Sequence, residues 1–274
     1  MDKMTKVGLL SCVTSLSLFV TSIVFVEPVL AESAERIGKG KIEMIGGIPK
    51  DPIDPENPEK PVDPGPGPST DGPLRIDFVS SFNFGNNKIE KRNHHFFANA
   101  QLFHDGTTAR GSYIQITDER SEKLGWTLQV RQEFQFKNSV IQEKDEQELK
   151  GATLSLDHGW ANSIYTWETA PVVTKDTIEI TELATTQNIA IADVGSGKGQ
   201  WTIEFGASET NTNNQKNTLF PKTTPSGEAV LDSEFENQLV YGNKAVALSI
   251  PNGTVIKPVQ YETELTWILA ALPN

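Results

Sequence analysis

From Trp126 to Phe136 the even positions read Trp, Leu, Val, Gln, Phe, Phe and the odd positions Thr, Gln, Arg, Glu, Gln. Period-two alternation of this kind predicts a strand with one buried face. A second stretch near the far end follows the same plan. Tyr261, Leu265, Trp267 and Leu269 share one face, with Glu262, Glu264 and Thr266 opposite. Each stretch contains a tryptophan, one intervening residue and a leucine. They lie ~140 residues apart, so any pairing between them is long-range and sets the topology.

Further candidate strands are Ile76–Phe84, Tyr113–Thr117, Ala152–Leu156, Ile164–Trp167, Thr177–Thr181, Asn188–Asp193, Trp201–Phe205 and Lys244–Ile250. Asp105-Gly106, Gly195-Ser196-Gly197, Ser226-Gly227 and Asn252-Gly253 punctuate them as turns. Asn138–Lys150 is the best place for a short helix. Many short strands separated by turn signals predict an all-β antiparallel sandwich-like domain over residues 74–274. Its length requires long loop insertions, the polar run Gly206–Gly227 foremost.

Upstream the texture differs. Prolines recur at 49, 52, 55, 58, 61 and 64, with Asp51, Asp54, Glu56, Glu59 and Asp63 between them. Polyproline II has three residues per turn and rises ~3.1 Å per residue, so residues 49–68 would span about 60 Å as a rod. Residues 49–73 are thus read as an acidic spacer or loop. Residues 32–48 form a short N-terminal segment in which Lys41-Ile42-Glu43-Met44-Ile45 has the makings of an edge strand. If that strand joins the sheet, the proline stretch is a loop rather than a tether.

Residues 1–31 have the layout of a secretion signal: Lys3 and Lys6, an uncharged run Val7–Val26, then Val29-Leu30-Ala31. The rival is an uncleaved anchor, since about 20 apolar residues span a bilayer. With the signal removed, no transmembrane anchor is expected in the mature chain. The one cysteine, Cys12, lies in this segment, so a processed chain would have no disulfide and no thiolate metal ligand. Net charge is -12, and excess negative charge disfavours nucleic acid and anionic lipid as partners.

Taken together, these stretches resemble the WxL-domain cell-surface proteins of Gram-positive bacteria. Leu74-Arg75-Ile76-Asp77-Phe78-Val79-Ser80-Ser81-Phe82-Asn83-Phe84-Gly85 is similar to the family's opening block. Gly125-Trp126-Thr127-Leu128-Gln129-Val130 is similar to its first W-x-L motif, and Leu149–Leu156 to the strand that follows. Leu265-Thr266-Trp267-Ile268-Leu269 is similar to the second motif. The resemblance implies a secreted protein held non-covalently at the cell wall, with peptidoglycan as ligand. It also implies membrane-anchored partners, the WxL-interacting proteins. The chain end agrees: five residues follow Leu269, with no Leu-Pro-x-Thr-Gly sorting signal.

The motif residues Trp126, Leu128, Trp267 and Leu269 share faces with other apolar positions, which marks them as core ahead of ligand contact. Trp160, after a glycine in a turn-like stretch, and the pair Phe96 and Phe97 are the better candidates for ligand contact. Gly195-Ser196-Gly197-Lys198-Gly199 lacks the Ser/Thr and the following helix of a phosphate loop and reads as a hairpin turn. His94, His95, His104 and His158 lack the spacing of a metal site. No cofactor is expected. Asp118-Glu119 do not form a hydrolase pair, because neighbouring strand residues point to opposite faces. The expectation is a binding protein and not an enzyme.

Overall fold

A computed structural model of the chain describes residues 51–89, 94–224 and 226–273. The expected signal segment with Cys12, the 32–48 stretch and Pro49 lie outside the described residues. In chain order the strands are β1 (Leu74–Val79), β2 (His94–Asn99), β3 (Ser112–Asp118), β4 (Trp126–Gln132), β5 (Thr153–Leu156), β6 (Gly159–Asn162), β7 (Val172–Val173) and β8 (Ile178–Ile180). There follow β9 (Thr186–Ala192), β10 (Gly199–Phe205), β11 (Leu219–Pro221), β12 (Leu231–Asp232), β13 (Gln238–Leu239), β14 (Tyr241–Ile250) and β15 (Leu265–Ala271). All pairings among them are antiparallel.

Two four-stranded sheets, β1-β3-β10-β6 and β15-β4-β9-β7, lie with β1 beside β15 and β6 beside β7. A third sheet runs β11-β14-β5-β8, with β2 on β14. One main core joins all three: Ile114, Ile116, Ile203 and Phe205 from the first, Trp126, Leu128, Val130 and Ile189 from the second, and Leu154, Leu156 and Val246 from the third. The fold is all-β, as the alternation predicts.

The two motif stretches are neighbours. β15 pairs with β4 so that Leu269 faces Leu128, Trp267 faces Val130 and Ala271 faces Trp126. The long-range contact is therefore a direct ladder, with the tryptophans four positions out of step. Gly125 is part of this design. Its φ is +78°, and a Cβ there would sit 2.3 Å from the Ala192 carbonyl oxygen, so only glycine admits the close approach of β9.

Three local expectations are corrected. Among the described residues there is no helix, and Asn138–Lys150 is a series of turns. The Asn138 side chain accepts from the Val140 and Ile141 N–H groups (3.1 and 2.8 Å), a local bond that competes with helix formation. Ile164–Trp167 is a turn, with Glu168 N–H donating to the Tyr165 carbonyl (2.9 Å). The 195–199 turn does not close a hairpin, because β9 and β10 belong to different sheets. It crosses between them, and the Gly197 carbonyl accepts the Trp126 indole N–H (2.9 Å).

The proline stretch also departs from the rod. Residues 51–64 fold back on themselves, with Ile53 bridging Pro61. Asp54 N–H donates to Lys60 O (2.8 Å), Asn57 N–H to Asp54 O (3.1 Å) and Lys60 N–H to Asn57 O (2.9 Å). Donors thus recur every third residue, between prolines that have none to give. The loop lies over the outer face of β3 and β10. Ile53 N–H donates to the Gln115 side chain (2.9 Å), and Asn162 donates to Pro55 O (2.8 Å). Every residue of β3 is consequently buried. The domain body begins well before Leu74.

Under this loop is a buried charged cluster. Arg110 forms a two-pronged pair with Asp54 (2.8 and 2.9 Å) and approaches Glu56 at 3.5 Å. Glu56 accepts from the Ser208 N–H and hydroxyl (2.5 and 2.6 Å), and its carbonyl from Asn213 (2.9 Å). The Asn-rich run after Gly206 is therefore a clasp for the proline loop. Burial raises the Asp54 pKa, but the bonds and charge of Arg110 outweigh it and hold it below the usual range. Glu204 is pushed well above that range by burial and then by the charges of Glu56 and Asp54. Its Oε2 has no hydrogen-bond partner among the described residues.

Candidate binding groove

Beyond Val79 the chain leaves the first sheet and crosses to the third. Ser80 N–H still donates to Tyr113 O (2.9 Å), whereas Asn83 O accepts from Asn99 N–H beside β2 (2.6 Å). In this crossing Phe82 and Phe84 are half-buried while Ser81 and Asn83 are exposed. Alternation thus persists after the ladder ends, which is why the sequence reads as strand to Phe84. Lys222 secures the crossing, donating to Phe84 O, Phe97 O (both 3.3 Å) and the Asn99 side chain (2.6 Å). Burial lowers its pKa.

The crossing forms one wall of an open groove of about 1160 Å³. Leu154, Leu248 and Ile250 supply its aliphatic floor; residues 256–263 and the start of β15 bring Tyr261, Leu265 and Trp267. Two edge-to-face pairs order the rings: Phe82 with Trp267 (6.4 Å, 78°) and Phe84 with Phe136 (6.2 Å, 77°). The rim carries exposed Asn83, Asn86, Asn87 and Gln260. Aromatic faces with neutral amides above them suit a ligand that has both apolar faces and hydrogen-bonding edges.

The motif residues separate here. Trp126 and Leu128 are fully buried and Leu269 nearly so. Trp267 is half-buried and lines the groove. Of the residues expected at a contact surface, Trp160 is instead 4% exposed, with its indole N–H bonded to Gly206 O (2.9 Å). The turn-like stretch around it is in fact β6, laid against β10. Phe96 lines the groove; Phe97 points elsewhere, edge-on to Phe220 (5.8 Å). Missed by the sequence reading were Phe82, Tyr261 and Trp167. Trp167 is 73% exposed on its tight turn, and the Ser163 hydroxyl that accepts from Tyr165 N–H (3.0 Å) is the signal that breaks the strand.

A β-sandwich that leaves one aromatic groove open where its sheets meet has the build of a β-type binding domain. The chain belongs to the WxL family: the family model for the WxL domain, surface cell wall-binding, matches residues 31–273. It is thus a cell-surface protein with a wall-binding domain that takes in nearly the whole chain. No curated protein and no solved structure matches it. Among the described residues no helix is long and apolar enough to cross a membrane.

Proposed function

We propose that the protein is secreted and attaches non-covalently to the wall, taking peptidoglycan in the Phe82–Trp267 groove. It acts as a binding module, without catalysis. The observation that carries this reading is the pairing of half-exposed Trp267 and Phe82 under a rim of asparagines. Pyranose rings offer apolar faces to such aromatics, and acetamido and hydroxyl groups offer partners to amides. Net charge of -12 gives no attraction to an anionic wall, so contact chemistry rather than long-range charge must supply affinity. The aliphatic floor favours a second reading, in which the groove takes apolar side chains of a membrane-anchored WxL-interacting partner.

Retention of the purified chain on wall sacculi stripped of protein separates the two. Direct recognition predicts retention, lost at least tenfold in Trp267→Ala, about 1.4 kcal/mol or more, with the fold intact by circular dichroism. Passage of the unaltered chain through bare sacculi overturns direct recognition and favours the partner. Retention that Trp267→Ala leaves untouched removes the groove from the account.

A further inference from the structure

The proline loop is held the way a bound peptide is held. Three side-chain amides read its main chain. Gln115 accepts the Ile53 N–H (2.9 Å) and donates to Asp51 O (3.4 Å), Asn162 donates to Pro55 O (2.8 Å) and Asn213 to Glu56 O (2.9 Å). Its two buried carboxylates have separate partners, Asp54 the fork of Arg110 and Glu56 the N–H and hydroxyl of Ser208. Val62 enters an apolar cluster with Phe78, Phe103 and Tyr113. Donors on the backbone, a guanidinium on an acid and a pocket for one apolar side chain are how a surface recognises a linear peptide. The buried anchors of the loop are as polar as they are aliphatic: Asp54 and Glu56 against Ile53 and Val62. Both sides of the contact can therefore return to water when parted, unlike the two halves of a core.

The connection to the body is short and lightly built. Thr70 is already tied to β1, its N–H donating to Ile76 O (2.8 Å) and its hydroxyl accepting from Ile76 N–H (2.9 Å). Between the loop and this tie lie Gly65-Pro66-Gly67-Pro68-Ser69. The two prolines have no N–H to donate, and Gly65, at φ +77°, is a pivot without a side chain. Extended, these five residues reach about 17 Å at ~3.3 Å each. We infer that the outer face of β3 and β10 is a peptide-recognition surface for an acidic, proline-spaced segment, and that residues 51–64 of a second copy of the chain occupy it in exchange for its own. The second copy is selected because its segment carries the anchors this face reads, Ile53, Asp54, Glu56 and Val62. A short hinge gives closure within one chain an effective concentration near ~1 mM. Dilute chains therefore stay closed, and exchange belongs to copies crowded on a cell surface.

Two full-length variants with opposite defects test this. Arg110→Met spoils the face and keeps the loop; Asp54→Asn combined with Glu56→Gln spoils the loop and keeps the face. Neither closes well on itself, so the loop of the first should seat on the face of the second. Mixing is expected to give a 1:1 complex by gel filtration with light scattering, with a Kd at least tenfold below the ~1 mM set by the hinge. Residues 51–64 of the Arg110→Met chain should regain resistance to proteolysis in that complex, and each variant alone should stay monomeric. A second measurement uses the unaltered chain with a protease site placed between Pro68 and Ser69 and cut after folding. The severed segment should give way to a labelled peptide of residues 51–64, which the Arg110→Met chain cut in the same way should refuse. Folded variants that stay monomeric when mixed overturn the second copy as partner, as does Arg110→Met pairing equally well with itself. Where a variant does not fold, the cut chain decides: uptake of the peptide supports the exchange, and refusal overturns it.

Discussion

Arg110→Met puts the clamp on the proline loop to a quantitative test. Arg110 is 5% exposed and faces three carboxyl groups, Asp54, Glu56 and Glu204, each no more than 2% exposed. The methionine keeps most of the stem's packing and removes the charge. Asp54 then retains only the Glu56 N–H (3.0 Å) and the Asn57 amide (3.1 Å). Removing one member of a buried pair costs about 3–5 kcal/mol, because the other charge stays buried without compensation. For a domain of this size that corresponds to a fall in melting temperature of roughly 6–20 °C. The loop has an escape, since it can lift off and return its carboxylates to water. The measured loss is then limited to the free energy that docks the loop, and proteolysis within residues 51–64 becomes fast. Urea denaturation and limited proteolysis should therefore move together. The loss should shrink at acid pH, where the stranded carboxylates take up protons, and Asp54→Asn in the same chain should recover part of it. A variant within about 1 kcal/mol of the parent at neutral pH, its loop still resistant, would refute the assignment of this pair as the clamp.

Two further outcomes follow from the same buried groups. Glu204 has a folded pKa raised above the ordinary carboxylate value, so its stabilising contribution is present below that ordinary value and fades as pH rises through the folded one. Asp54, with a lowered pKa, contributes above the ordinary value and fades as pH falls. Glu204→Gln should therefore flatten the decline in stability on the alkaline side of the ordinary carboxylate range and leave the acid limb in place, read from urea midpoints across a pH series. Trp126→Ala removes a fully buried indole and its bond to Gly197 O. A loss of about 3–5 kcal/mol is expected, seen in thermal unfolding before any effect on wall retention.

Alternation and turn signals were enough to read the all-β class and the longer core strands, because a half-buried strand writes its faces directly into the sequence, whereas β2, β6 and β7 went unread. Alternation failed where a strand is buried on both faces or a turn competes. The Tyr113–Thr117 run places Gln115 and Thr117 on a polar face, and solvent is the natural partner for that face; its actual partner is the proline loop. The period-three prolines point to a rod, and only the distant clasp by Arg110 and Ser208, which nothing local announces, makes them a tight loop. Trp160 follows a glycine, which suggested a free ring. That glycine instead makes room: a Cβ on Gly159 would meet the Val173 side chain at 2.8 Å. The groove was legible only through Phe96, because its walls come from segments remote in sequence; Trp267, which its shared face marks as core, is half-buried and lines the groove as well.

Two copies of one tripeptide do different work because of where the ladder sets them. Leu128 and Leu269 lie opposite each other, so the motif leucines lock the register at its centre. In an antiparallel pair this places each tryptophan two residues to opposite sides of that centre. Trp126 falls at the end that the 195–199 crossing seals, and its indole is closed over. Trp267 falls at the end where the Phe82 crossing leaves the sheets apart, and its indole meets the groove. A shift of β15 by one residue against β4, which β9 holds on its other side, would turn Trp267 and Leu269 to the outer face, so the spacing of the second motif guards the core and the groove together. Identical side chains thus become a packing element and a contact element through position in the ladder, and neither role can be assigned from the tripeptide by itself.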